Sequence, residues 1–532
     1  MYGAADQTAI HRMQPVPFHR ASPAPVGASG PAMHARRRVA PALAALALAA
    51  CGGGDARPGT IVEPPPPAAV AAVVLSADSV RLAPGEQSRL TADVRDGAGR
   101  SLADRTVAWR SASPGVATVA QGMVTAVAAG TALVIAESGG RADTARVTVA
   151  ASPPPPPALV EGRALWVSRF EYNSAQRITE IMTKARSANF NVVYFQVRGA
   201  GDAYYRSSLE PCAAALCGRL GGATLPYDPL DVAIREAHAR GLELHAWINA
   251  LTGLGSGSSA ACAVLVESAA GQPRHMLLAN PGWAVRDASG AAQACPNGEE
   301  YVYVSPGIPA VRTHLARVAA DIARRYAVDG VHLDRIRYPG TAWSHDSASL
   351  AGFGRSPASD AAGWAQYRRD MVSLAVREVR DSVRAARPSA TLSAAVWGIH
   401  RDLWGWNSSN GFAQYLQDPR AWAAGGYLDV AVPMTYYNTH AARCGFADWA
   451  CLLDDHLAGI QTATGTPVFI GIAADRGAAQ VTAQIRLART RGARGVALYS
   501  FGAVDAANLW SVLAADVFAQ PAVVPERNGN RR

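Results

Sequence analysis

The fold of the larger part of this chain is indicated by the stretch Tyr326-Ala-Val-Asp-Gly-Val-His-Leu-Asp-Arg-Ile-Arg-Tyr-Pro339. Its centre alternates the aliphatic side chains of Val331 and Leu333 with the polar side chains of His332 and Asp334. Alternation with a period of two predicts a β-strand whose two faces have different surroundings. The acidic residue falls at the carboxyl end of that strand.

Before and after this strand, strand patterns alternate with helical patterns across residues 163–518. Eight such repeats favour a (β/α)8 TIM barrel over a doubly wound sheet. The turn Ser168-Arg-Phe-Glu-Tyr172 has no glycine and the sequence has no Gly-Lys-Ser/Thr phosphate loop, so a Rossmann fold is not predicted. The predicted strands are Leu165–Phe170, Val192–Arg198, Leu242–Asn249, Gly330–Ile336, Thr391–Gly398, Leu428–Tyr437, Val468–Ala474 and Val496–Phe501. The helical patterns include Asp228–Arg240, Ile308–Tyr326, Trp364–Ala386 and Gln480–Arg491.

One parity of these strands is aliphatic and the other is polar or aromatic. Alternate residues of a barrel strand face the interior or the surrounding helices. Barrel interiors are ordinarily filled by branched aliphatic side chains, so polar side chains near the carboxyl ends predict a site at that mouth. The polar or aromatic parity holds Tyr194, Gln196 and Arg198 in the second strand, Glu243, His245, Trp247 and Asn249 in the third, and His332 and Asp334 in the fourth.

Several stretches of the barrel resemble the glycosyl hydrolase-like 10 family, also called domain of unknown function 187. They are Asn191-Val-Val-Tyr-Phe-Gln-Val-Arg198, Gly201-Asp-Ala-Tyr-Tyr205, Asp228-Pro-Leu230, Glu236-Ala-His-Ala-Arg-Gly-Leu-Glu-Leu-His-Ala-Trp-Ile-Asn249, the stretch around Asp334, and Asp429-Val-Ala-Val-Pro-Met-Thr-Tyr-Tyr437. The resemblance covers essentially all of residues 163–518. It implies a glycoside hydrolase barrel, often on an exported lipoprotein, and some members are linked to peptidoglycan strands stripped of stem peptides. Met434 departs from the family, whose members often carry Gln there.

Asp334 is the first candidate catalytic residue, because a carboxylate at a strand end can act as acid, base or nucleophile on a glycosidic bond. The alternative is a structural aspartate paired with a nearby arginine. A second carboxylate is expected for the usual mechanisms. The candidates are Asp475 and Glu171, followed by Asp202 and Glu210. A 2-acetamido group of the substrate could instead serve as the nucleophile.

Substrate-binding candidates combine hydrogen-bonding side chains with flat rings that can stack on sugars. Each could instead be a core residue. No His-Glu-x-x-His or EF-hand spacing occurs in the sequence, and neither a metal nor a cofactor is predicted. The candidates are Arg198, Asp202, His245, Trp247, Asn249, His332, Trp397, Tyr436 and Tyr437, with Trp404 and Trp406 as further loop aromatics.

Two proline tracts separate further parts of the chain, Pro64–Pro67 and Pro153–Pro157. Short alternating strands between them predict a β-sandwich. The run from Val107-Ala-Trp-Arg-Ser111 through Val116-Ala-Thr-Val119 to Gly130-Thr-Ala132 resembles bacterial Ig-like domains of group 2. The segment holds no catalytic constellation, so it is either a spacer or an adhesion module. The predicted divisions are a leader (1–50), a tether (51–69), an Ig-like β-sandwich (70–150), a linker (151–160), the barrel (161–518) and a disordered tail (519–532).

The beginning of the chain reads as a signal peptide that starts at Met33, with Arg36–Arg38 followed by the apolar run Val39–Ala50. The sequence Leu48-Ala-Ala-Cys51 resembles a bacterial lipobox, which implies a lipid on Cys51 and attachment to a membrane. Glycine after the cysteine implies the outer membrane, facing the periplasm or the cell surface.

The other six cysteines agree with an oxidising compartment. Nearest-neighbour pairing predicts three disulfides, and free buried thiols are the alternative. The predicted pairs are Cys212 with Cys217, Cys262 with Cys295, and Cys444 with Cys451.

The composition excludes some partners. Apolar residues make up 49% of the chain and charged residues 17%, which predicts folded domains. The formal charge of +9 comes from basic residues that, apart from Lys184, are all arginine. Such a skew is typical of codon bias, so no nucleic-acid partner is predicted. Together, the lipobox and the resemblance to the glycosyl hydrolase-like 10 family imply a lipid-anchored glycoside hydrolase acting on N-acetylhexosamine-containing glycan such as peptidoglycan. The alternatives are a non-catalytic glycan-binding lipoprotein and a hydrolase of an exopolysaccharide.

Overall fold

In a computed structural model the chain forms two compact units that divide near residue 153. The structure describes residues 68–151, 159–255, 267–295 and 300–526. The predictions for the leader, the start at Met33, the lipidated Cys51 and the disulfide partner Cys262 lie outside the described residues.

The amino-terminal unit is a small β-sandwich. Its longest strands alternate buried and exposed residues, and Val134, Ala145 and Val147 have no exposed surface. A tight turn requires Gly122, because φ is +81° and a Cβ would lie 2.3 Å from the carbonyl oxygen of Leu90. The larger sheet has the order β2-β9-β8-β5, a second has β3-β7-β6, and β1 pairs with β4. The strands are β1 (Ala72–Leu75), β2 (Ser79–Leu82), β3 (Gln87–Arg89), β4 (Ala92–Arg95), β5 (Ala108–Ser111), β6 (Ala117–Ala120), β7 (Met123–Ala126), β8 (Gly130–Ser138) and β9 (Arg141–Val149).

The second unit is built on parallel strands connected by helices. Its strands are β10 (Leu159–Val160), β11 (Gly162–Val167), β12 (Val192–Arg198), β13 (Glu243–Asn249), β14 (Thr252–Gly255), β15 (Tyr301–Tyr303), β16 (Gly330–Asp334), β17 (Thr391–Trp397), β18 (Val430–Met434), β19 (Phe469–Ala473), β20 (Gly495–Tyr499) and β21 (Ala522–Val523). Its helices are α1 (Ala175–Ser187), α2 (Ala214–Cys217), α3 (Pro229–His238), α4 (Met276–Ala279), α5 (Pro309–Arg325), α6 (Ser347–Phe353), α7 (Ala361–Ala386), α8 (Pro419–Ala424), α9 (Trp449–His456), α10 (Ala478–Thr490), α11 (Phe501–Ala506) and α12 (Trp510–Ala515). No helix among the described residues is both long and apolar enough to cross a membrane.

Eight of these strands form a nearly closed parallel barrel in the order β18-β17-β16-β13-β12-β11-β20-β19. A single bridge between Ala431 and Val468 connects the two end strands. Each predicted barrel strand corresponds to an observed one. Their boundaries differ most at the carboxyl ends, where β16 ends at Asp334 and β18 at Met434, because the chain turns into loops there.

Side chains on the two faces of the barrel strands pack into two separate hydrophobic cores. The aliphatic parity, including Val193, Leu244 and Leu333, packs against the surrounding helices. The other parity points into the barrel, which is closed at its amino end by the ring of Phe469. Gly162 makes room for this ring, since a Cβ there would lie 2.0 Å from it. Polar strand residues therefore face the interior, as the parity predicted.

The prediction of a disordered tail from residue 519 is wrong for residues 519–526. Here β21 pairs in parallel with β10, and the guanidinium of Arg163 donates to the carbonyl of Gln520 at 2.6 Å. Asn191 also donates to the carbonyl of Ala522. These backbone hydrogen bonds hold the segment against the barrel. Their partners lie far away in the sequence, so no local pattern indicated them.

Disulfides join Cys212 to Cys217 and Cys444 to Cys451, the pairs that nearest-neighbour spacing predicted. Cys295 is also disulfide-bonded, while its predicted partner lies outside the described residues. Each described disulfide braces a loop of the barrel unit.

Candidate functional site

Asp334 is the last residue of β16, at the carboxyl mouth of the barrel, and is 8% exposed. The backbone N–H of Arg335 donates to its carboxylate at 2.5 Å. Arg335 has φ +52°, a conformation that ordinary residues adopt at a cost, and this hydrogen bond helps to hold it. The carboxylate is therefore fixed at the point where the barrel opens.

Four side chains surround this carboxylate, and together with Asp334 we call them the mouth cluster: Arg337, Trp397, Tyr436 and Tyr499. The Nη1 atom of Arg337 lies 3.5 Å from the Asp334 carboxylate, and the guanidinium stands over the Trp397 ring at 5.2 Å. The rings of Tyr436 and Tyr499 stack with their centroids 5.2 Å apart.

Both tyrosines of the mouth cluster keep their protons at neutral pH. Burial raises the pKa of Tyr436, and the neighbouring Tyr499 and the charge of Asp334 raise it further. Burial also raises the pKa of Tyr499, with contributions from Glu171 and Asp334. The two hydroxyls can consequently donate hydrogen bonds to a ligand beside Asp334. Sequence analysis proposed Tyr436 as an aromatic sugar contact but missed Tyr499, although Tyr499 lies within the eighth predicted strand.

A lower layer of side chains fills the barrel beneath the mouth cluster: Trp166, Tyr194, His332 and Ser393. The indole of Trp166 donates to Nε2 of His332 at 3.0 Å, and Nδ1 of His332 lies 2.9 Å from the Ser393 hydroxyl. The His332 ring also stacks on Tyr194 at 3.9 Å. Burial, followed by the nearby His245, lowers the pKa of His332 well below its ordinary value, so the ring is neutral. His332 has no exposed surface, and the prediction that it contacts substrate is not supported.

Three further predicted binding residues, His245, Trp247 and Asn249, are buried within the barrel. His245 is buried at the amino half of β13, where Nε2 lies 3.2 Å from the carboxylate of Glu243. Trp247 is 4% exposed and donates to the amide oxygen of Asn249 at 3.2 Å. Asn249 also accepts from Gln196 and donates to the Gly199 carbonyl. Trp247 and Asn249 support the mouth cluster from below through hydrogen bonds between side chains, whereas Nδ1 of His245 is buried without a partner among the described residues.

Arg198 does not reach the mouth, although its parity predicted that it would. The pairing of β12 with β13 shifts register between Gln196 and Arg198, which redirects the side chain. Arg198 instead forms a buried ion pair with Glu210, whose carboxylate also contacts His314. Despite burial, the charges of Arg198 and His314 hold the pKa of Glu210 far below its usual range. This network serves the structure of the loop after β12, and it removes Glu210 as the second catalytic carboxylate.

Asp202 is half-buried and accepts a hydrogen bond from the backbone of Ala200 at 2.8 Å. Its charge acts on the nearby Arg169, which donates to the hydroxyl of Tyr301. Asp202 therefore shapes its own loop, and no described contact joins it to Asp334.

The remaining candidates for the second carboxylate, Glu171 and Asp475, differ in their surroundings. Glu171 accepts three hydrogen bonds of 2.5–2.6 Å, from the Ser500 hydroxyl and from the backbone of Ser168 and Gly502. Burial raises its pKa although these bonds oppose the shift. The charge of Glu171 contributes to the raised pKa of Tyr499, so this carboxylate borders the mouth cluster. Its three hydrogen bonds connect two loops.

Asp475 lies beyond the carboxyl end of β19, and its neighbour Arg476 donates to the carbonyl of Tyr436 in the mouth cluster. The strand β19 ends at Ala473 and a short 3-10 turn follows, so the period of two no longer applies. The side chain is 46% exposed and pairs with its neighbour Arg476 at 3.6 Å. The parity argument therefore does not apply to Asp475, and its role as the second catalytic carboxylate stays a prediction. A carboxylate that the sequence did not indicate, Glu300, pairs with Arg335 next to the mouth cluster.

Aromatic side chains border the mouth on the loops. Trp397 lies against Tyr415 at 4.1 Å, and its indole donates to the carbonyl of Ser409. Tyr437 is partly buried, and burial raises its pKa to about 12. Farther along the loop after β17, Trp404 and Trp406 stack at 4.4 Å. Phe170, which follows β11, is 72% exposed and was missed because a single phenylalanine in a turn carries no sequence signal.

The described residues also line two separate cavities. The larger has a volume of about 730 Å³ and is lined by residues near the Cys212–Cys217 disulfide, including Tyr205, Arg206 and Thr224. The smaller, of about 360 Å³, lies by Asp429 and Arg384 at the amino end of the barrel. Neither includes Asp334. Active sites of TIM barrels lie at the carboxyl mouth, so position and chemistry favour the mouth cluster over these two cavities.

A parallel barrel with a nearly buried carboxylate at its carboxyl mouth defines the chain as a TIM-barrel protein with an enzyme-like site. The sequence profile described as glycosyl hydrolase-like 10 matches residues 161–484, and this chain belongs to that family. The profile described as bacterial Ig-like domain (group 2) matches residues 69–149. These matches and the observed folds confirm the predicted Ig-like sandwich followed by a TIM barrel, and they agree with the predicted enzyme class, a glycoside hydrolase.

Two curated relatives are glycosyl hydrolase YngK of Bacillus subtilis (strain 168) and glycosyl hydrolase DigH of Escherichia coli (strain K12). Each is 27% identical to this chain, over 52% and 56% of its length respectively. The chain spans 52% of the length of YngK and 65% of that of DigH. A similar solved structure is the PgaB (BpsB) glycoside hydrolase domain from Bordetella bronchiseptica, with 15% identity and a TM-score of 0.48. The match covers 66% of this chain and 99% of that domain.

Proposed function

We propose that this chain is an exported glycoside hydrolase that cleaves N-acetylhexosamine-containing glycan, with peptide-stripped peptidoglycan strands as its substrate. The position of Asp334 carries the proposal. Its carboxylate is nearly buried at the carboxyl mouth of a TIM barrel, beside two protonated tyrosines. The names of the two curated relatives support the same reaction class.

Asp334 is proposed to transfer the proton that a glycosidic bond requires. It gives a proton to the leaving oxygen as the bond breaks, and in the second half of the reaction it takes one from the attacking water. The hydroxyls of Tyr436 and Tyr499 donate hydrogen bonds that orient the sugar. Trp397 and the loop aromatics offer faces on which further sugar rings can stack.

A nucleophile from the substrate fits this site better than a second protein carboxylate. Both oxygens of Glu171 already accept short hydrogen bonds, and the exposed carboxylate of Asp475 pairs with Arg476. The carbonyl oxygen of a 2-acetamido group would attack C1 while the bond to the leaving oxygen breaks, and water would then open the cyclic intermediate. Trapping a glycosyl ester on Glu171, or on any other carboxylate, would contradict this part of the proposal.

Mass spectrometry of soluble products tests the reaction. Intact and peptide-stripped peptidoglycan are incubated with the wild-type protein, with Asp334→Asn and with Asp381→Asn. The last variant changes an exposed aspartate on α7 and serves as the matched control. Sugar fragments from the wild type and the control, but not from Asp334→Asn, would support the proposal. Full cleavage by Asp334→Asn would refute it. Cleavage restricted to an exopolysaccharide would instead support the alternative substrate.

The lipid anchor on Cys51 and the outer-membrane location belong to the same proposal and rest on the lipobox sequence. Growth with a labelled fatty acid should label the wild type but not Cys51→Ala. Membrane fractionation should then place the wild type with the outer membrane and release the variant. A labelled Cys51→Ala protein would exclude this anchor.

A further inference from the structure

Arg337 is a buried cation whose hydrogen-bonding capacity is unused. Its side chain is 4% exposed, and Nη1 is enclosed without a hydrogen-bond partner. No hydrogen bond to its guanidinium occurs within the described residues. The nearest opposite charge is Asp334, at 3.5 Å, which is too long for a good hydrogen bond. The cost of burying this charge is therefore only partly offset in the protein alone.

The surroundings of Arg337 position it for a ligand. Its guanidinium lies over the rings of Trp397 and Tyr415, at 5.2 and 5.9 Å, and these contacts fix its plane. Nη1 faces Asp334, while Nε and Nη2 form an edge that has no hydrogen-bond partner among the described residues. That edge matches the two oxygens of a carboxylate.

The neighbouring Arg335 shows the contrast. It pairs with the carboxylate of Glu300 and stands over the ring of Tyr301 at 5.2 Å. Its charge is thus compensated by a protein group, whereas Arg337 has only the oblique contact with Asp334. Of the two arginines that flank the catalytic candidate, Arg337 is the one available to an acidic ligand.

We propose that Arg337 is a specificity-determining residue that binds the free carboxylate of an acidic sugar next to the bond being cleaved. This inference rests on the proposed function and identifies the chemical group that the site selects. In a peptidoglycan strand the lactyl carboxylate is free only after the stem peptide has been removed, because the peptide occupies it as an amide. Arg337 accordingly distinguishes stripped strands from strands that still carry peptides.

The test changes the arginine and the carboxylate independently. Peptide-stripped glycan is compared with the same glycan after chemical reduction of its carboxylates to alcohols. The kcat/KM of the wild type should fall about 30-fold on reduction, as expected for a lost charge-assisted hydrogen bond. Arg337→Gln should show less than a threefold difference between the two glycans, and Arg337→Lys an intermediate one.

Arg335→Gln is the matched control, because it removes an arginine two positions away whose partner is Glu300. It should keep the wild-type ratio between the two glycans, whatever its absolute rate. Equal wild-type rates on both glycans would overturn the inference. So would an Arg337→Gln variant that loses the same factor on both, since that result describes a structural role.

Binding separates this inference from the proposed reaction. Calorimetry with the wild-type protein measures its affinity for acidic and for reduced oligosaccharides without any turnover. Tighter binding of the acidic form, lost in Arg337→Gln, supports the carboxylate site even where no glycan is cleaved. Absence of that preference overturns it, and urea unfolding confirms that the variant is folded.

Discussion

The lower layer and the mouth cluster occupy the same barrel interior, but they use their polar atoms differently. In the lower layer the indole of Trp166, the ring of His332 and the hydroxyl of Ser393 bind one another, and Tyr194 covers the imidazole. In the mouth cluster Arg337 has an enclosed nitrogen with no partner. Except for the hydroxyl of Tyr194, which has no hydrogen-bond partner among the described residues, the lower layer is completed by protein groups, whereas the mouth cluster leaves a charged group for a ligand.

Inward parity alone therefore does not identify a binding residue. A polar side chain deep in a barrel must find partners within the protein, because water cannot reach it. At the open end, water or substrate can replace those partners. The height of a residue along its strand therefore decides between structural and functional roles.

The largest effect is expected at Asp334. Replacement by asparagine should lower kcat/KM about 10³-fold, the usual loss on removal of a group that transfers a proton. The free energy of unfolding should change little, because the amide can still accept the hydrogen bond from Arg335. Steady-state kinetics and urea unfolding of the same preparation measure the two effects. A large loss of stability would place Asp334 with the structural residues.

His332→Leu should produce the opposite pattern. The substitution approximately conserves volume but leaves the Trp166 indole and the Ser393 hydroxyl without partners, which should cost about 3 kcal/mol of stability. Activity of the folded fraction should fall less than tenfold, since His332 is separated from the mouth. Urea denaturation followed by tryptophan fluorescence gives the stability. A variant that is stable but inactive would contradict the distinction between the layers.

A somewhat smaller effect is expected in the pH dependence of the stability that His332 contributes to the lower layer. The pKa of His332 is lower in the folded protein than its ordinary value, so the unfolded chain takes up a proton first as the pH falls. Its neutral form thus contributes stability that is present above about pH 6.5 and is lost as the pH falls below it. The stability gap between wild type and His332→Leu should shrink by about 2 kcal/mol from pH 7 to pH 5. A constant gap would indicate that His332 does not titrate in this way.

The smallest effect is expected at Phe170, on the loop after β11. In the strand order of the barrel, β11 lies four positions from β17, so its loop lies across the mouth from the one bearing Trp404 and Trp406. If sugars stack on both sides, Phe170→Ala should raise KM about fivefold for long glycans, the weight of one aromatic contact. Short oligosaccharides should show no change. Equal effects on both lengths would exclude Phe170 as a distal contact.

The sequence by itself determined the order and number of the elements in both units. Alternation in stretches such as 330–334 and 192–198 produced strands, and the helical patterns between them allowed a parallel sheet that closes on itself. It also determined that Asp334 lies at the mouth, because the position of a residue at a strand end follows from local periodicity. These features depend on interactions between near neighbours in the chain, which the sequence displays directly.

Only the tertiary structure decided which of the inward polar residues remain available. The register shift in β12 turned Arg198 toward Glu210, and the turn after β19 carried Asp475 out to solvent. Tyr499 joined Tyr436 although they are distant in sequence. Such outcomes depend on partners brought together by barrel closure. A polar side chain is bound or free according to what lies opposite it in space, and no local pattern contains that information.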